Sequence, residues 1–201
     1  MTTQGLKQTI RQRILSEREQ LSAGLRAQYS AKITRRIVQL PEYRAARVVL
    51  GYMNFGAEFE SEIWVRQALA DGKQLLLPKV NRTTNELDIY RVTDLQHDLA
   101  PGLWNIREPL PERCVKVDVP EEVDFILLPG VAFGRDGARL GYGGGFYDRL
   151  LERLDKDGVA HSLALVAGAY SLQLVEGIPQ EVTDRKVQWL VTENEMINCM
   201  A

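Results

Sequence analysis

A run of glycines in the second half of the chain is the segment whose composition points most directly to chemistry. Residues 141–148 read Gly-Tyr-Gly-Gly-Gly-Phe-Tyr-Asp, between a short apolar stretch and a helical pattern. Each glycine costs about 1 kcal/mol relative to alanine in regular structure. Three in succession therefore suggest a backbone that needs positive φ or a close approach to a ligand. Because a helix N-terminus presents free N–H groups and partial positive charge, the segment predicts a phosphate site.

This segment matches neither of two common phosphate-binding motifs. It does not contain the pattern G-x-x-x-x-G-K-[ST], and Phe146 stands where the pattern G-x-G-x-x-G requires its last glycine. The residues alone therefore leave two interpretations open, a phosphate site and a tight turn before a helix.

Four charged residues could complete such a site. Arg139 lies just before the glycines, and Asp148 lies in the first turn of the helix that follows them. Asp148 could bind Mg²⁺ beside the phosphates, or it could be a carboxylate favoured by the helix dipole. Lys7 and Arg11 are four residues apart and share one helical face, so they could converge on a polyphosphate or form a solvated face.

The elements that must position these residues begin with two helices in the first 46 residues. Thr2 or Thr3 can cap the first helix and Ser22 can cap the second, while Pro41 ends the second. Apolar residues recur every three or four positions in both segments, as in helices with one buried face.

From residue 47 onward, short apolar stretches alternate with helical patterns. This arrangement predicts an α/β fold with a mainly parallel sheet covered by helices on both faces. Ligands of such sheets lie beyond the carboxyl ends of the strands, where the glycine segment begins. Residues 93–123, rich in proline and charge, are predicted to be irregular. Strands are predicted at 47–53, 73–77 (ending at Pro78), 86–92, 124–128, 162–167 and 187–191, with helices at 61–71 and from 146 onward.

The composition is that of one globular domain. The chain has 201 residues, of which 45% are apolar and 26% charged, and this suits a single domain over residues 1–201. Cys114 and Cys199 lie far apart, which argues against a disulfide framework or a zinc site. Since neither a secretory signal nor a membrane-spanning apolar run is recognisable, a cytoplasmic protein is expected.

Positive charge is concentrated at the N-terminus. Residues 1–47 contain ten Lys or Arg and three Glu, a net charge of +7, so the remainder must carry −9 to reach the total of −2. A basic N-terminal helical segment (1–46) before an α/β body (47–201) suggests an anionic partner or a solvated basic face. Nucleic acid is disfavoured because the sequence pI is about 5.8 and aromatic residues do not interleave with the basic ones.

Residues 128–150, LPGVAFGRDGARLGYGGGFYDRL, closely resemble the signature of the 5-formyltetrahydrofolate cyclo-ligase (5,10-methenyltetrahydrofolate synthetase) family. The resemblance implies an α/β/α fold of the sugar-phosphate isomerase and CoA transferase type. It also implies Mg·ATP-dependent ring closure of 5-formyltetrahydrofolate, with or without a polyglutamate tail. The protein is expected to be a monomer that binds neither nucleic acid nor membrane. Further matches across the chain are the Lys7 and Arg11 helix, Glu58, Gly72 and Lys73, Pro78, Glu108 and Pro109, and Asp184.

The resemblance also implies a role for individual residues, with Arg139 and Tyr147 closest to the reaction. Mg²⁺ ligands would be Asp148 and Asp184. Folate contacts would be Met53, Glu58, Tyr142, Gly143, Gly144, Gly145 and Phe146. ATP contacts would be Lys7, Arg11, Arg139, Leu140, Gly141, Tyr142, Gly143, Gly144, Gly145, Phe146 and Tyr147.

Two positions depart from the family pattern. Many relatives carry lysine where Gly144 stands, and Gly134 replaces a common aspartate. A cation that neutralises phosphate is therefore missing from the segment, and Arg139, Lys7 or Arg149 is expected to compensate. Two alternative functions remain beside the cyclo-ligase: another small-molecule ATP-dependent phosphotransferase, and a non-catalytic folate- or nucleotide-binding relative.

Overall fold

The computed structural model describes residues 2–117, 123–156, 163–181 and 184–200. The helices are α1 (Thr3–Glu19), α2 (Ala23–Ile37), α3 (Pro41–Ala45), α4 (Ser61–Ala70) and α5 (Phe146–Lys156). The strands are β1 (Val48–Leu50), β2 (Gln74–Asn81), β3 (Glu86–Val92), β4 (Leu99–Pro101), β5 (Arg107–Pro109), β6 (Val115–Val117), β7 (Phe125–Leu127), β8 (Ala132–Phe133), β9 (Arg139–Leu140), β10 (Ala164–Gly168), β11 (Trp189–Val191) and β12 (Met196–Asn198).

An eight-stranded sheet in the order β12-β11-β10-β7-β1-β2-β3-β6 forms the centre of the fold. The five strands from β11 to β2 run parallel to their neighbours, whereas β12, β3 and β6 are antiparallel additions at the two edges. The predicted α/β class with a mainly parallel sheet is therefore confirmed. The likeness to sugar-phosphate isomerases and CoA transferases stays a prediction.

Helices cover both faces of this sheet, so the fold has three layers. Successive side chains of a strand point to opposite faces: Phe125 packs with residues of α2, α3 and α4, whereas Ile126 packs with residues of α5. Trp64 of α4 is fully buried and stacks on Phe125, with ring centroids 5.8 Å apart. Truncating such a core aromatic side chain to alanine costs about 3–5 kcal/mol.

Helix α1 packs beside the hairpin of β8 and β9 through a third, smaller core. Ile10 and Ile14 of α1 contact this core together with Ala132 and Leu140 of the hairpin. The predicted cap is confirmed, because Thr2 Oγ1 accepts a hydrogen bond from the N–H of Gly5 at 3.2 Å. The packing fixes the rotation of α1 and therefore which of its side chains reach the adjacent cavity.

The prediction that β2 ends at Pro78 is wrong. Strand β2 continues to Asn81, and Pro78 pairs with Ile89 of β3. The N–H of Gln74 and the carbonyl of Leu76 both bond towards β1, so the nitrogen of Pro78 faces that same side. Because β1 has already ended at Leu50, the missing N–H of proline breaks no ladder there.

The prediction that Pro41 only ends the second helix is also wrong. Helix α2 ends at Ile37, and Pro41 begins the short helix α3. Proline suits the first turn of a helix because the N–H that it lacks would have no partner there.

Residues 93–123 are more regular than predicted. They contain the two-stranded sheet of β4 and β5 and also β6, which extends the main sheet beside β3. The strands have only three residues each, and β6 pairs with a partner outside the segment, so they leave no periodic pattern in the segment itself. Residues 118–122 of this segment, and Ser162 at the start of a predicted strand, lie outside the described residues.

Over the described residues, we find no helix that combines the length and the apolar character needed to cross a membrane.

Candidate active site

A cavity of about 850 Å³ lies beyond the carboxyl ends of β1 and β7. Its lining includes all the residues that the sequence predicted as ATP, folate or metal contacts, from both ends of the chain and from the middle. The predicted residues that line it are Lys7, Arg11, Met53, Glu58, Arg139, Leu140, Gly141, Tyr142, Gly143, Gly144, Gly145, Phe146, Tyr147, Asp148 and Asp184.

The glycine segment leads directly into helix α5 and forms part of the cavity wall. Gly143 and Gly145 have positive φ angles of 101° and 67°, which residues with a Cβ rarely adopt. Gly144 has no such angle, but a Cβ there would lie 2.9 Å from the ring of Phe146. Gly143 and Gly145 are thus required by backbone geometry, and Gly144 allows the close approach of the Phe146 ring. All three lie at the start of a helix, where free N–H groups suit an anion.

Two charged side chains of α1 reach the cavity. Lys7, only 6% exposed, donates to Asp184 at 3.0 Å and to Glu181 at 3.3 Å. Arg11 Nε donates to the carbonyl of Gly141 at 2.7 Å. Burial lowers the pKa of Lys7, but its hydrogen bonds to Asp184 and Glu181 outweigh burial and hold that pKa above its ordinary value. Lys7 therefore carries its charge into the cavity.

Arg139 lies at the cavity wall with its side chain only 4% exposed. Its Nη2 donates to Oδ1 of Asp148, and its Nη1 donates to the carbonyl of Pro129 at 3.3 Å. Its Nε is buried and has no hydrogen-bond partner among the described residues. An arginine held in this way offers a fixed, charged donor to an anion in the cavity.

Glu58 is a buried carboxylate with both oxygens in use. Tyr142 donates its hydroxyl hydrogen to Oε1 at 2.6 Å, and the N–H of Phe55 donates to Oε2 at 3.0 Å. Burial raises the pKa of Glu58, while the bonds from Tyr142 and Phe55 and the charge of Arg18 act in the opposite direction. Arg18 Nη2 in turn donates to the hydroxyl of Tyr142 at 2.7 Å.

Tyr147 lines the cavity beside this carboxylate. Burial, and then the negative charge of Glu58, raise the pKa of Tyr147 far above its ordinary value, with Arg139 acting against them. Its hydroxyl is therefore protonated at neutral pH and can donate a hydrogen bond, but it cannot serve as a base there.

Asp148 and Asp184 both line the cavity, and each already contacts one cation. Burial raises the pKa of Asp184, but the N–H of Glu181 and the ammonium of Lys7 outweigh burial and hold that pKa below its ordinary value. In the part of the chain that the structure describes, no group of three or more His, Cys, Asp or Glu side chains could hold a metal.

The structure separates the three cations that were expected to compensate for the missing lysine. Lys7 and Arg139 line the cavity, whereas Arg149 is not part of its lining. Arg149 instead donates to the carbonyls of Asn85 and Gly144, at 2.7 Å and 2.9 Å. Its contacts stabilise the position of the glycine segment from outside the cavity.

The sequence did not single out several residues of this site. Arg18 is the main omission, although it lies on the same helical stripe as Lys7 and Arg11, seven residues after the latter, and that spacing could have indicated it. Among the residues that do line the cavity, Pro78 and Glu108 match the family but had not been assigned to the site. The other lining residues that were not predicted are Gln4, Tyr52, Phe55, Val80, Leu87, Trp104, Ile106, Arg107, Pro129 and Glu181.

The fold and the site define an α/β protein with a ligand cavity beyond the carboxyl ends of its parallel strands. A sequence model of the 5-formyltetrahydrofolate cyclo-ligase family matches residues 3–193. The chain belongs to this family. The family inferred from the glycine segment is thereby confirmed, and so is the prediction of a cyclo-ligase enzyme at the level of the family.

Individual relatives agree with this assignment. The chain is 28% identical over 200 residues to the 5-formyltetrahydrofolate cyclo-ligase of Mus musculus, covering 94% of this chain and 93% of the relative. It is 30% identical over 179 residues to that of Haemophilus influenzae, covering 89% and 92%.

Two solved structures resemble the chain over nearly its whole length. The NMR structure of Aquifex aeolicus 5,10-methenyltetrahydrofolate synthetase has 36% identity and a TM-score of 0.80, covering 98% of this chain and 94% of that one. A 5,10-methenyltetrahydrofolate synthetase from Mycoplasma pneumoniae has 21% identity and a TM-score of 0.72, covering 93% and 98%, which supports the fold alone.

Proposed function

We propose that the chain converts 5-formyltetrahydrofolate to 5,10-methenyltetrahydrofolate with Mg·ATP, releasing ADP and phosphate. The observation that carries the proposal is the cavity that combines the glycine segment, the cations Lys7, Arg11 and Arg139, and the buried carboxylate of Glu58. The first two features suit a nucleotide, and the third suits the N–H donors of a pterin.

The nucleotide's phosphates are best accommodated against the start of α5. Backbone N–H groups there favour an anion. Arg11 adds a guanidinium that donates to a neutral carbonyl, that of Gly141. Lys7 and Arg139 already pair with Asp184 and Asp148, so they would exchange or share these partners with the phosphates.

The folate is best accommodated where Glu58 and Met53 line the cavity. A carboxylate has about four lone-pair sites, so Glu58 can accept from a pterin ring while it keeps its bonds to Tyr142 and Phe55. Met53 offers a polarisable apolar surface for the ring.

The reaction needs activation of the formyl oxygen, because that oxygen is a poor leaving group. Transfer of the γ-phosphoryl group breaks the bond to the β-phosphate, releases ADP and gives an iminium phosphate. N10 then attacks the formyl carbon and loses its proton, and the C–O bond breaks with release of phosphate. No side-chain nucleophile takes part, and positioning of this kind can supply about 7–11 kcal/mol.

Arg139 and Tyr147 are suited to act on this phosphoryl group. Arg139 supplies fixed positive charge where charge builds up on the oxygens. The protonated hydroxyl of Tyr147 can donate a hydrogen bond to the same group. Neither residue needs to change its protonation state during the reaction.

Asp148 and Asp184 fit a magnesium site that is completed by a nucleotide. Mg²⁺ usually takes one or two carboxylates together with phosphate oxygens and water. Hydrogen bonds to cations use Oδ1 of Asp148 and Oδ2 of Asp184, so the second oxygen of each remains for a metal. When bound, Mg²⁺ would neutralise phosphate charge and orient the phosphates.

An absorbance assay tests the proposal against its two alternatives. The protein is mixed with Mg·ATP and 5-formyltetrahydrofolate, while methenyltetrahydrofolate absorbance and ADP are both followed. Equimolar appearance of the two products is expected. ADP without an absorbance change would instead indicate another phosphotransferase, and binding of both ligands without either product would indicate a non-catalytic relative.

The same proposal includes expectations about the location of the enzyme, its oligomeric state and the tail of its substrate. The enzyme would work as a cytoplasmic monomer, and polyglutamate tails of the folate would lie against the basic N-terminal segment. Equal affinity for mono- and polyglutamylated substrate at low salt would contradict the latter expectation.

A further inference from the structure

Arg18, near the end of α1, is a buried cation with few partners. The residue is only 4% exposed, and its Nη2 donates a hydrogen bond to the hydroxyl of Tyr142. Its Nε and Nη1 are buried without a hydrogen-bond partner among the described residues. Because a buried charge with unused donors is costly, the presence of an arginine at this place calls for a reason beyond packing.

The hydroxyl of Tyr142 connects Arg18 to Glu58. A guanidinium can only donate, so the hydroxyl oxygen accepts from Arg18 and its single hydrogen points to Oε1 of Glu58. The second oxygen of Glu58 accepts from the N–H of Phe55. With both oxygens accepting, the arrangement suits the ionised form of Glu58.

Several other groups face this carboxylate. The phenols of Tyr52 and Tyr147 are close enough to interact with its charge, and the backbone carbonyl of Glu58 accepts from Tyr170 at 2.9 Å. Among the described residues, Arg18 is the cation whose charge lowers the pKa of Glu58, against the effect of burial.

We propose that Arg18 is a positioning residue of the substrate site: through the hydroxyl of Tyr142, it holds Glu58 as a charged acceptor at the buried part of the cavity. Arg18 itself does not line the cavity, so it acts through Tyr142 and Glu58. The identity of the substrate rests on the proposed function, whereas the effect on Glu58 does not.

The direct test is the titration of Glu58 in the protein without ligands. Carboxyl carbons are followed by NMR in protein labelled with ¹³C-glutamate, and Glu58→Gln identifies the signal. Opposite charges within about 4–6 Å shift a carboxyl pKa by about 1–3 units. Arg18→Met is therefore expected to move the Glu58 midpoint upward by about one pH unit or more, and Arg18→Lys to restore most of the change.

Matched variants separate this role from a general effect on the helix. Arg13→Met removes a cation of the same helix whose side chain is 57% exposed and pairs with Glu17, and it should leave the midpoint unchanged. Tyr142→Phe removes the connecting hydroxyl and should raise the midpoint. An identical midpoint in Arg18→Met and Arg13→Met would overturn the proposal.

Kinetics provide a second readout. In Arg18→Met, the KM for the folate should rise at neutral pH and recover at higher pH, where Glu58 is again ionised, while the KM for ATP changes less. Lower thermal stability with an unchanged pH profile would show a merely structural role and contradict the proposal. If wild-type protein forms no methenyltetrahydrofolate, the proposed function fails, and the NMR titration still decides the role of Arg18.

Discussion

Lys7 donates a hydrogen bond from Nζ to Oδ2 of Asp184 over 3.0 Å, across a sequence separation of 177 residues. The bond connects α1 with the segment that precedes β11, and both residues line the cavity. The first and last parts of the chain thus contribute to one site. A change at either end should alter ligand binding as well as stability.

Replacement of Lys7 by methionine should weaken ATP binding. Hydrogen bonds to charged groups contribute about 1.5–3 kcal/mol, so Lys7→Met is expected to raise the KM for ATP by about tenfold to a hundredfold, with a smaller change for the folate. Steady-state kinetics with each substrate varied in turn measures the difference. Arg13→Met, an exposed cation of the same helix, is the control, and an unchanged KM for ATP in Lys7→Met would remove Lys7 from the nucleotide site.

The glycine segment should not tolerate a side chain at Gly143. Its φ of 101° makes alanine strained there by about 1–3 kcal/mol, so Gly143→Ala should lower kcat/KM for ATP by tenfold or more through a displaced segment. Gly24→Ala is the matched control, since Gly24 lies in α2 and a Cβ there meets nothing within 4 Å. Equal activity of the two variants would show that the backbone shape of the segment is not needed.

The raised pKa of Glu58 predicts a pH-dependent cost in stability. Its cause is burial, so the unfolded chain ionises more readily than the folded one. The protonated carboxyl therefore stabilises the folded protein fully at pH values below the pKa of Glu58 in the unfolded chain. This stabilisation is lost as the pH rises through the pKa of Glu58 in the folded protein. Glu58→Gln, which stays neutral, should therefore gain thermal stability relative to wild type between pH 4 and neutral pH. A difference in Tm that does not vary with pH over this window would contradict the prediction.

Asp148→Asn should raise the Mg²⁺ concentration needed for half-maximal activity. The substitution keeps the shape of the side chain but removes the charge that favours a divalent cation. A Mg²⁺ titration at saturating ATP and folate measures the effect. Asp136→Asn is the control because Asp136 is 61% exposed and pairs with Lys186. Superimposable titrations of Asp148→Asn and wild type would argue against Asp148 as a metal ligand.

The sequence predicted features that depend on local pattern. The glycine segment, the helix after it and the caps at Thr2 and Ser22 are properties of neighbouring residues, and the structure has all of them. The i, i+4 spacing of Lys7 and Arg11 predicted a shared face of α1, and both residues reach the cavity. The resemblance to the family across the rest of the chain added residues that no periodicity could have placed, such as Asp184.

Features that depend on distant partners could not be predicted. Pro78 continues β2 because β1 ends before reaching it, which is a property of the sheet and not of the segment. The spacing of Arg18 along α1 could have indicated its helical face, but not its contact with Tyr142, 124 residues away. Arg149 shares the charge of the other candidate cations but lies outside the cavity lining, and only the packing of α5 decides this.

A crystal structure with Mg²⁺, a non-hydrolysable ATP analogue and 5-formyltetrahydrofolate would show where both substrates bind. We expect the terminal phosphate against the backbone N–H groups of residues 143–146, within reach of Arg139, and the pterin against Glu58. A nucleotide bound elsewhere, with the glycine segment contacting only the protein's own side chains, would contradict this expectation.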